Sequence, residues 1–312
     1  MLRTAVIGTG YLGRFHAQKY AQLAGNQLIG VADINEDSGR TVAAECNTRY
    51  FKDYRQLIGL VDAVSVVVPT SLHSQVAGDF LKAGVHVLVE KPITSNLSQA
   101  ETLVELARAR GLVLQVGFLE RFNAALGEIR SLIKKPKFIE SHRLAGFKPR
   151  SMDINVVMDL MIHDLDIILN LVNSPLEHIA ANGAKVISDS VDIAQARLTF
   201  EDGCVANITA SRISQKSKRK MRVFQDCSCI SVDFETLTMN HFHKGGGEQY
   251  PSIPNIECTE KQYEDSDALR REIEDFLSCV RLSEEPKVTG EDGRRVLEVA
   301  CRISEIISES KV

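Results

Sequence analysis

Three short stretches of this 312-residue chain carry residue types that could do chemistry together. The first is Gly8-Thr9-Gly10-Tyr11-Leu12-Gly13, which follows the apolar run 4–7 and opens a helical pattern. Gly8 permits a tight turn, Gly10 lets backbone approach a pyrophosphate, and Gly13 permits close packing of the helix, whose N-terminal N–H groups are free to meet the anion. Asp33 stands twenty residues beyond Gly13, at the end of a second apolar run, where a carboxylate can accept from adenosine ribose hydroxyls. A chance glycine turn and a strand-end cap are the bland readings of the two features, but each supports the other. Asp33 would repel a 2′-phosphate and no Arg follows it immediately, so NAD is expected rather than NADP.

The second stretch is Glu90-Lys91-Pro92, directly after the apolar run 86–89 and so near the carboxyl edge of a sheet. An ammonium there can hydrogen-bond a reacting oxygen and stabilise the charge that develops as a proton leaves. Alone, Lys91 would read as a surface lysine in a turn, and Pro92 admits a cis peptide. The third stretch is Met158-Asp159-Leu160-Met161-Ile162-His163-Asp164-Leu165-Asp166. On a helix, Asp159 and His163 four apart and His163 and Asp166 three apart share roughly one face. A carboxylate that orients an imidazole makes it a usable base near neutral pH, while the bland reading is a buried histidine satisfied by its acidic neighbours.

The elements that must position these groups follow from hydrophobic spacing. Apolar runs at 4–7, 27–32, 63–68, 86–89 and 112–116 read as strands, and helical spacing falls at 15–23, 72–83 and 99–110, with Ser98 as an N-cap for the last. That alternation predicts a doubly wound parallel sheet. After about residue 118 the pattern changes to a helix at 123–133 and strands at 138–144, 194–200, 205–214, 221–225 and 230–234, with an Asp202-Gly203 hairpin turn. Residues 244–267, holding Gly245, Gly246, Gly247, Pro251 and Pro254, read as a loop, and 269–282 and 293–307 as closing helices. The expected domains are 1–118 and 119–312, with the last helix able to pack back on the first domain.

A net charge of −4 leaves no global basic field for nucleic acid or an anionic membrane. The basic cluster Lys216, Lys218, Arg219, Lys220 and Arg222 reads as a solvated hairpin, with an anion-binding rim as the sharper alternative. No apolar stretch is long enough to span a bilayer and no signal-peptide layout opens the chain, so a cytoplasmic protein is expected. The seven cysteines lack any C-x-x-C pair, and Cys227 and Cys229 have no nearby His or Cys to complete a zinc site, so free thiols and no metal are expected.

Taken in order, the glycine motif, Pro69-Thr70-Ser71-Leu72-His73, Glu90-Lys91-Pro92 and the 159–166 segment resemble the Gfo/Idh/MocA oxidoreductases. The resemblance spans nearly the whole chain. It implies an α/β protein: a Rossmann domain, then a domain with a large, mostly antiparallel sheet. It places Gly8, Gly10, Tyr11, Leu12, Gly13, Asp33, Pro69, Thr70, His73, Glu90 and Lys91 at NAD. It also implies that His163 removes a sugar hydroxyl proton, Asp159 orients His163 and Lys91 polarises the oxygen, while hydride passes to nicotinamide. Met161 departs from a glycine common in the family. The 143–166 run and Ala210-Ser211-Arg212 are similar to a bacterial subgroup that oxidises C3 of UDP-linked N-acetylhexosamines. In that subgroup reading Arg121, Arg143, Arg150 and Arg212 are candidates for the diphosphate. An inositol or free-sugar dehydrogenase, or a non-catalytic dinucleotide sensor, is the alternative. The resemblance further implies a homodimer or homotetramer.

Overall fold

The computed structural model describes residues 1–147, 154–264 and 267–309. In chain order, β1 (Leu2–Ile7), α1 (Tyr11–Gln22), β2 (Asn26–Ala32), α2 (Glu36–Glu45), β3 (Arg49–Phe51), β4 (Ala63–Val66), α3 (Thr70–Lys82), β5 (His86–Glu90), α4 (Leu97–Arg110) and β6 (Leu114–Gly117) alternate. There follow α5 (Ala124–Leu132), β7 (Pro136–Leu144), a π-helical turn (Val157–Met161) running into α6 (Ile162–Leu171), β8 (Leu176–Ala184), β9 (Ile193–Phe200) and β10 (Val205–Ser211). The chain closes with β11 (Lys218–Gln225), β12 (Ser228–Asp233), β13 (Thr238–Tyr250), β14 (Ile253–Gln262), α7 (Ala268–Leu282) and α8 (Gly290–Glu309).

The chain divides into two compact units: Met1–Phe122 with Asp267–Leu297, and Asn123–Ser266 with Glu298–Val312. The first unit therefore takes in α7 and the start of α8 as well as the N-terminal third. Its sheet is six-stranded and parallel in the order β3-β2-β1-β4-β5-β6, the doubly wound arrangement. Val6, Val31 and Leu88 on that sheet pack with Ala17 and Tyr20 of α1 and with Leu269, Ile273 and Phe276 of α7 in one buried cluster. The seam of α7 is apolar at 269, 273, 276 and 277, with Glu272 set among them, also buried. The cap of α4 is Asn96, whose side chain accepts from the Gln99 N–H at 3.1 Å, rather than the expected Ser98. Sequence spacing missed α2, which is mostly polar, and β3, whose three residues are too few to show a pattern.

The second unit is built on an eight-stranded sheet ordered β14-β13-β12-β11-β7-β10-β9-β8, antiparallel except where β10 runs beside β7. The Asp202-Gly203 turn joins β9 to β10, with Gly203 at φ +84°. One face of the sheet is apolar, with Ile139, Ala196, Leu198, Ile208 and Val223 buried. Two readings of this region need correction. Residues 244–267 are largely the β13–β14 hairpin and not a loop. The basic cluster lies mainly on β11, an interior strand, where Arg222 pairs with Glu140 at 3.2 Å, rather than on a free hairpin. Among the described residues no helix is long and apolar enough to cross a membrane.

Candidate active site

The candidate nucleotide-binding residues belong to the first unit. Gly8 leaves β1 at φ +95°, and a Cβ there would stand 2.3 Å from the Val67 carbonyl oxygen, so only glycine fits this turn. A Cβ on Gly13 would come to 1.9 Å from the Gly8 carbonyl oxygen, which holds α1 hard against the loop. At Gly10 the same test meets nothing within 4 Å: the loop keeps open space at the N-cap of α1, where no side chain caps the helix. Uncapped N–H groups facing open space suit a pyrophosphate.

Asp33 is tied to that loop. The Thr9 N–H and hydroxyl donate to its Oδ2 at 2.6 and 2.9 Å, and the Asn35 N–H donates to Oδ1 at 2.8 Å. Each carboxylate oxygen keeps acceptor capacity for a ribose hydroxyl. Gly8, Gly10, Asp33 and Pro69 line one cleft of about 490 Å³, to which Asn35 and Lys52 also contribute. Lys52 was not singled out from sequence, because it lies nineteen residues past Asp33 and reaches the cleft only through the fold. Tyr11 is exposed, and Leu12 follows it in the first turn of α1.

Pro69 caps α3 and Thr70 begins it. His73, one turn on, is buried with Nδ1 2.9 Å from the Pro92 carbonyl and Nε2 2.9 Å from the Val68 carbonyl. It thus ties the Glu90-Lys91-Pro92 turn to the end of β4. Burial lowers its pKa, partly offset by those carbonyls. The Lys91-Pro92 peptide is cis. The Glu90 side chain turns inward: Oε1 meets His16 Nε2 at 3.1 Å and Oε2 accepts from the Lys91 backbone N–H at 3.3 Å.

In the second unit, Asn155 starts the catalytic candidate segment. Its side chain accepts from the Val157 and Met158 N–H groups at 3.1 and 3.0 Å, a cap legible as an Asn before an apolar run. Asp159 lies in the π-helical turn and His163 in the first turn of α6, so the expected uniform α-helix is corrected to a π turn feeding an α-helix. Such turns are frequent at functional sites. Both side chains are partly exposed, whereas Asp164 and Asp166 are buried. Met161 is fully buried, so its bulk is taken up by the core.

Three of the four candidate arginines are occupied. Arg143 meets Asp164 through Nε and Nη2, both at 3.1 Å, in a buried two-pronged pair. Arg212 donates Nε to Asp192 at 2.9 Å and Nη1 to the Ile154 carbonyl at 2.9 Å, and also meets Ser188 and Ser190. Burial alone would raise the Asp192 pKa, but the Ser188 hydroxyl, the Ile187 and Val186 N–H groups and Arg212 outweigh it and hold it well below the usual carboxylate range. Arg121 in the first unit is buried, 3.9 Å from Asp292. Arg150 lies outside the described residues.

Residues 2–118 match the family described as "Oxidoreductase family, NAD-binding Rossmann fold", and residues 135–227 match the GFO/IDH/MocA C-terminal domain. The chain is 43% identical over 303 residues to the UDP-N-acetylglucosamine 3-dehydrogenase of Acidithiobacillus ferrooxidans, covering 97% of this chain and 96% of that protein. A solved structure of that enzyme superposes with a TM-score of 0.92 over 98% of this chain and 97% of the other. The myo-inositol 2-dehydrogenase of Thermotoga maritima is 26% identical, over 95% of this chain and 92% of its own. The fold is also that of scyllo-inositol dehydrogenase from Lactobacillus casei, solved with NAD(H) and scyllo-inositol bound, at a TM-score of 0.84 and 19% identity over 100% and 98% of the two chains.

Proposed function

Because the chain belongs to the GFO/IDH/MocA family and is an NAD-dependent oxidoreductase, we propose that its substrate is a UDP-linked N-acetylhexosamine oxidised at C3. The observation that carries this substrate class is the 43% identity to a UDP-N-acetylglucosamine 3-dehydrogenase along 97% of the chain. Inositol dehydrogenases stand further off, at 26–27% for relatives covering 95–96% of this chain.

NAD, when bound, accepts the hydride. The residues of this chain do the rest. Gly8, Gly10, Tyr11, Leu12 and Gly13 hold the pyrophosphate at the α1 N-terminus, and Asp33 accepts from the adenosine ribose. Pro69, Thr70 and His73 shape the cleft wall, with His73 acting through the Pro92 and Val68 carbonyls. Glu90 supports the turn that presents Lys91. Lys91 donates to the C3 oxygen and stabilises its developing charge, His163 takes the hydroxyl proton, and Asp159 orients His163. Diphosphate recognition falls to Arg121, Arg143, Arg150 and Arg212, with Arg143 and Arg212 reaching it only by sharing donors already given to Asp164 and Asp192. The active species is a homodimer or homotetramer, and the polar sheet face bearing Gln195, Arg197 and Asn207 is where a second copy would pack.

The test is NADH formation by the purified protein with UDP-N-acetylglucosamine, myo-inositol or glucose, with a 3-keto-sugar transaminase present to draw off product. Turnover with the UDP-sugar alone is expected; turnover with myo-inositol alone would replace the proposed substrate. His163→Ala should then lose turnover by about 100-fold or more while retaining NAD affinity; undiminished turnover would remove His163 from the mechanism.

A further inference from the structure

Behind the Glu90-Lys91-Pro92 turn lies a polar cluster whose His16, Tyr20, Ser65 and Glu272 none of these roles uses. Val6, Ser65, Leu88 and Gln115 pair in register across β1, β4, β5 and β6, so two polar residues sit in a row beneath α1 and α7. Above them, His16, Glu90 and Glu272 each bring one ligating atom within 4.8 Å of the others. The hydrogen bonds form a chain. Tyr20 Oη lies 2.9 Å from Ser65 Oγ, which is 3.2 Å from His16 Nδ1, and His16 Nε2 is 3.1 Å from Glu90 Oε1.

One direction satisfies every member: Tyr20 donates to Ser65, Ser65 to Nδ1 of a neutral His16, and its Nε2–H to an ionised Glu90. Glu272 is left over. It is 0% exposed, and no donor among the described residues reaches either of its carboxylate oxygens. Its own backbone carbonyl accepts from Gln115 Nε2 at 3.1 Å, which fixes this point of α7 against the sheet. The Glu90 side chain, 13% exposed, is held close against β6, where a Cβ on Gly117 would stand 2.8 Å from its Oε1. Two carboxylates with oxygens within 4.8 Å of each other, one of them wholly buried, repel strongly, and a proton held between them relieves that repulsion.

We propose that Glu272 is the neutral acid of this cluster, donates its proton to Glu90, and is thereby a positioning residue for the Lys91 turn. The cluster then holds a single negative charge, on Glu90, directly behind Lys91. Burial, then the charges of Glu90 and Asp275, push the Glu272 pKa well above the ordinary glutamate value, in agreement. A divalent cation bridging the same three side chains is the competing occupant. It would need the His16 nitrogen that already faces Glu90 at hydrogen-bond distance, and ligands beyond these three, which a proton does not.

The role of Lys91 rests on the function proposed above; the protonation of Glu272 does not. Infrared difference spectra of wild type against Glu272→Gln, in H2O and D2O at neutral pH, should show the carbonyl stretch of a protonated carboxylic acid in the wild type alone. Absence of that band overturns the proposal, as does a stoichiometric metal in the wild type that Glu272→Gln loses. Glu272→Val, which removes the donor, should lower kcat by about tenfold or more with NAD affinity unchanged, and Glu272→Gln should rescue it. Unchanged kcat in Glu272→Val overturns the positioning role. If Lys91→Met keeps full turnover while the band is present, the reading of Lys91 fails and the protonated Glu272 stands.

Discussion

Asp33 shows how one side chain can serve fold and selectivity together. Its carboxylate accepts from Thr9 and Asn35 and so fixes the glycine loop, while its remaining lone pairs face the cleft. Asp33→Ala should therefore weaken NAD and narrow the preference over NADP, the more so because Lys52 lines the same cleft and could meet a 2′-phosphate. Dissociation constants for both cofactors check this, and an unchanged ratio would contradict it. Glu272 predicts a pH effect on stability. Its folded-state pKa is raised above the ordinary 4.5, so the unfolded chain ionises first as pH rises. Wild-type stability thus falls, relative to Glu272→Gln, from about pH 4.5 up to the folded-state pKa, through partners His16, Tyr20, Glu90 and Asp275 that stay in place. Denaturation at several pH values should find the Gln variant gaining with pH; a constant difference would argue for an ionised Glu272. Glu272 was not singled out from sequence: it is one acid in the apolar seam of α7, and its partners His16 and Glu90 come from distant segments that no spacing rule connects.

At the scale of elements, the second unit leans on a buried ion pair. Asp192 and Arg212 are nearly unexposed, at 0% and 7% for their side chains. Asp192→Asn should cost about 3–5 kcal/mol, because it leaves a buried guanidinium without its counter-charge. The depressed Asp192 pKa means this stability is present above the unfolded carboxylate value and is lost as pH falls toward the folded one, so the penalty should shrink in acid. Urea titrations at neutral and acidic pH measure both. Most of the parallel sheet, with its β-branched runs and glycine loop, was readable because β1, β4, β5 and β6 are buried on both faces over most of their length and carry a continuous apolar signal. The β13–β14 hairpin was not. Its glycines and prolines are tolerated because it lies at the end of the sheet and its register slips near Lys244 and Glu248, with Pro254 on the outermost strand. The π turn carrying Asp159 likewise has no sequence mark, since it shifts hydrogen bonding without disturbing the apolar spacing.

For the molecule as a whole, the decisive feature is that its first unit is discontinuous. The α1 face of the parallel sheet is covered by α7, and the start of α8 packs on β6, where Cβ atoms on Gly290 and Gly293 would meet Leu114 and Val116 at 2.7 and 2.6 Å. A fragment of residues 1–122 should therefore lack a cooperative thermal transition by circular dichroism, because Tyr20 and Leu88 lose Ile273 and Phe276 as neighbours. A sharp native-like melt would show that α7 is dispensable. The same discontinuity sets an order of events on the ribosome. The N-terminal third emerges first, yet it must wait for the 144 residues 123–266 before its missing helix arrives. At translation rates of ~5–20 residues per second that delay is roughly 7–29 s. The nascent Rossmann sheet spends it with an apolar face bare, a window in which a holding chaperone has something to bind.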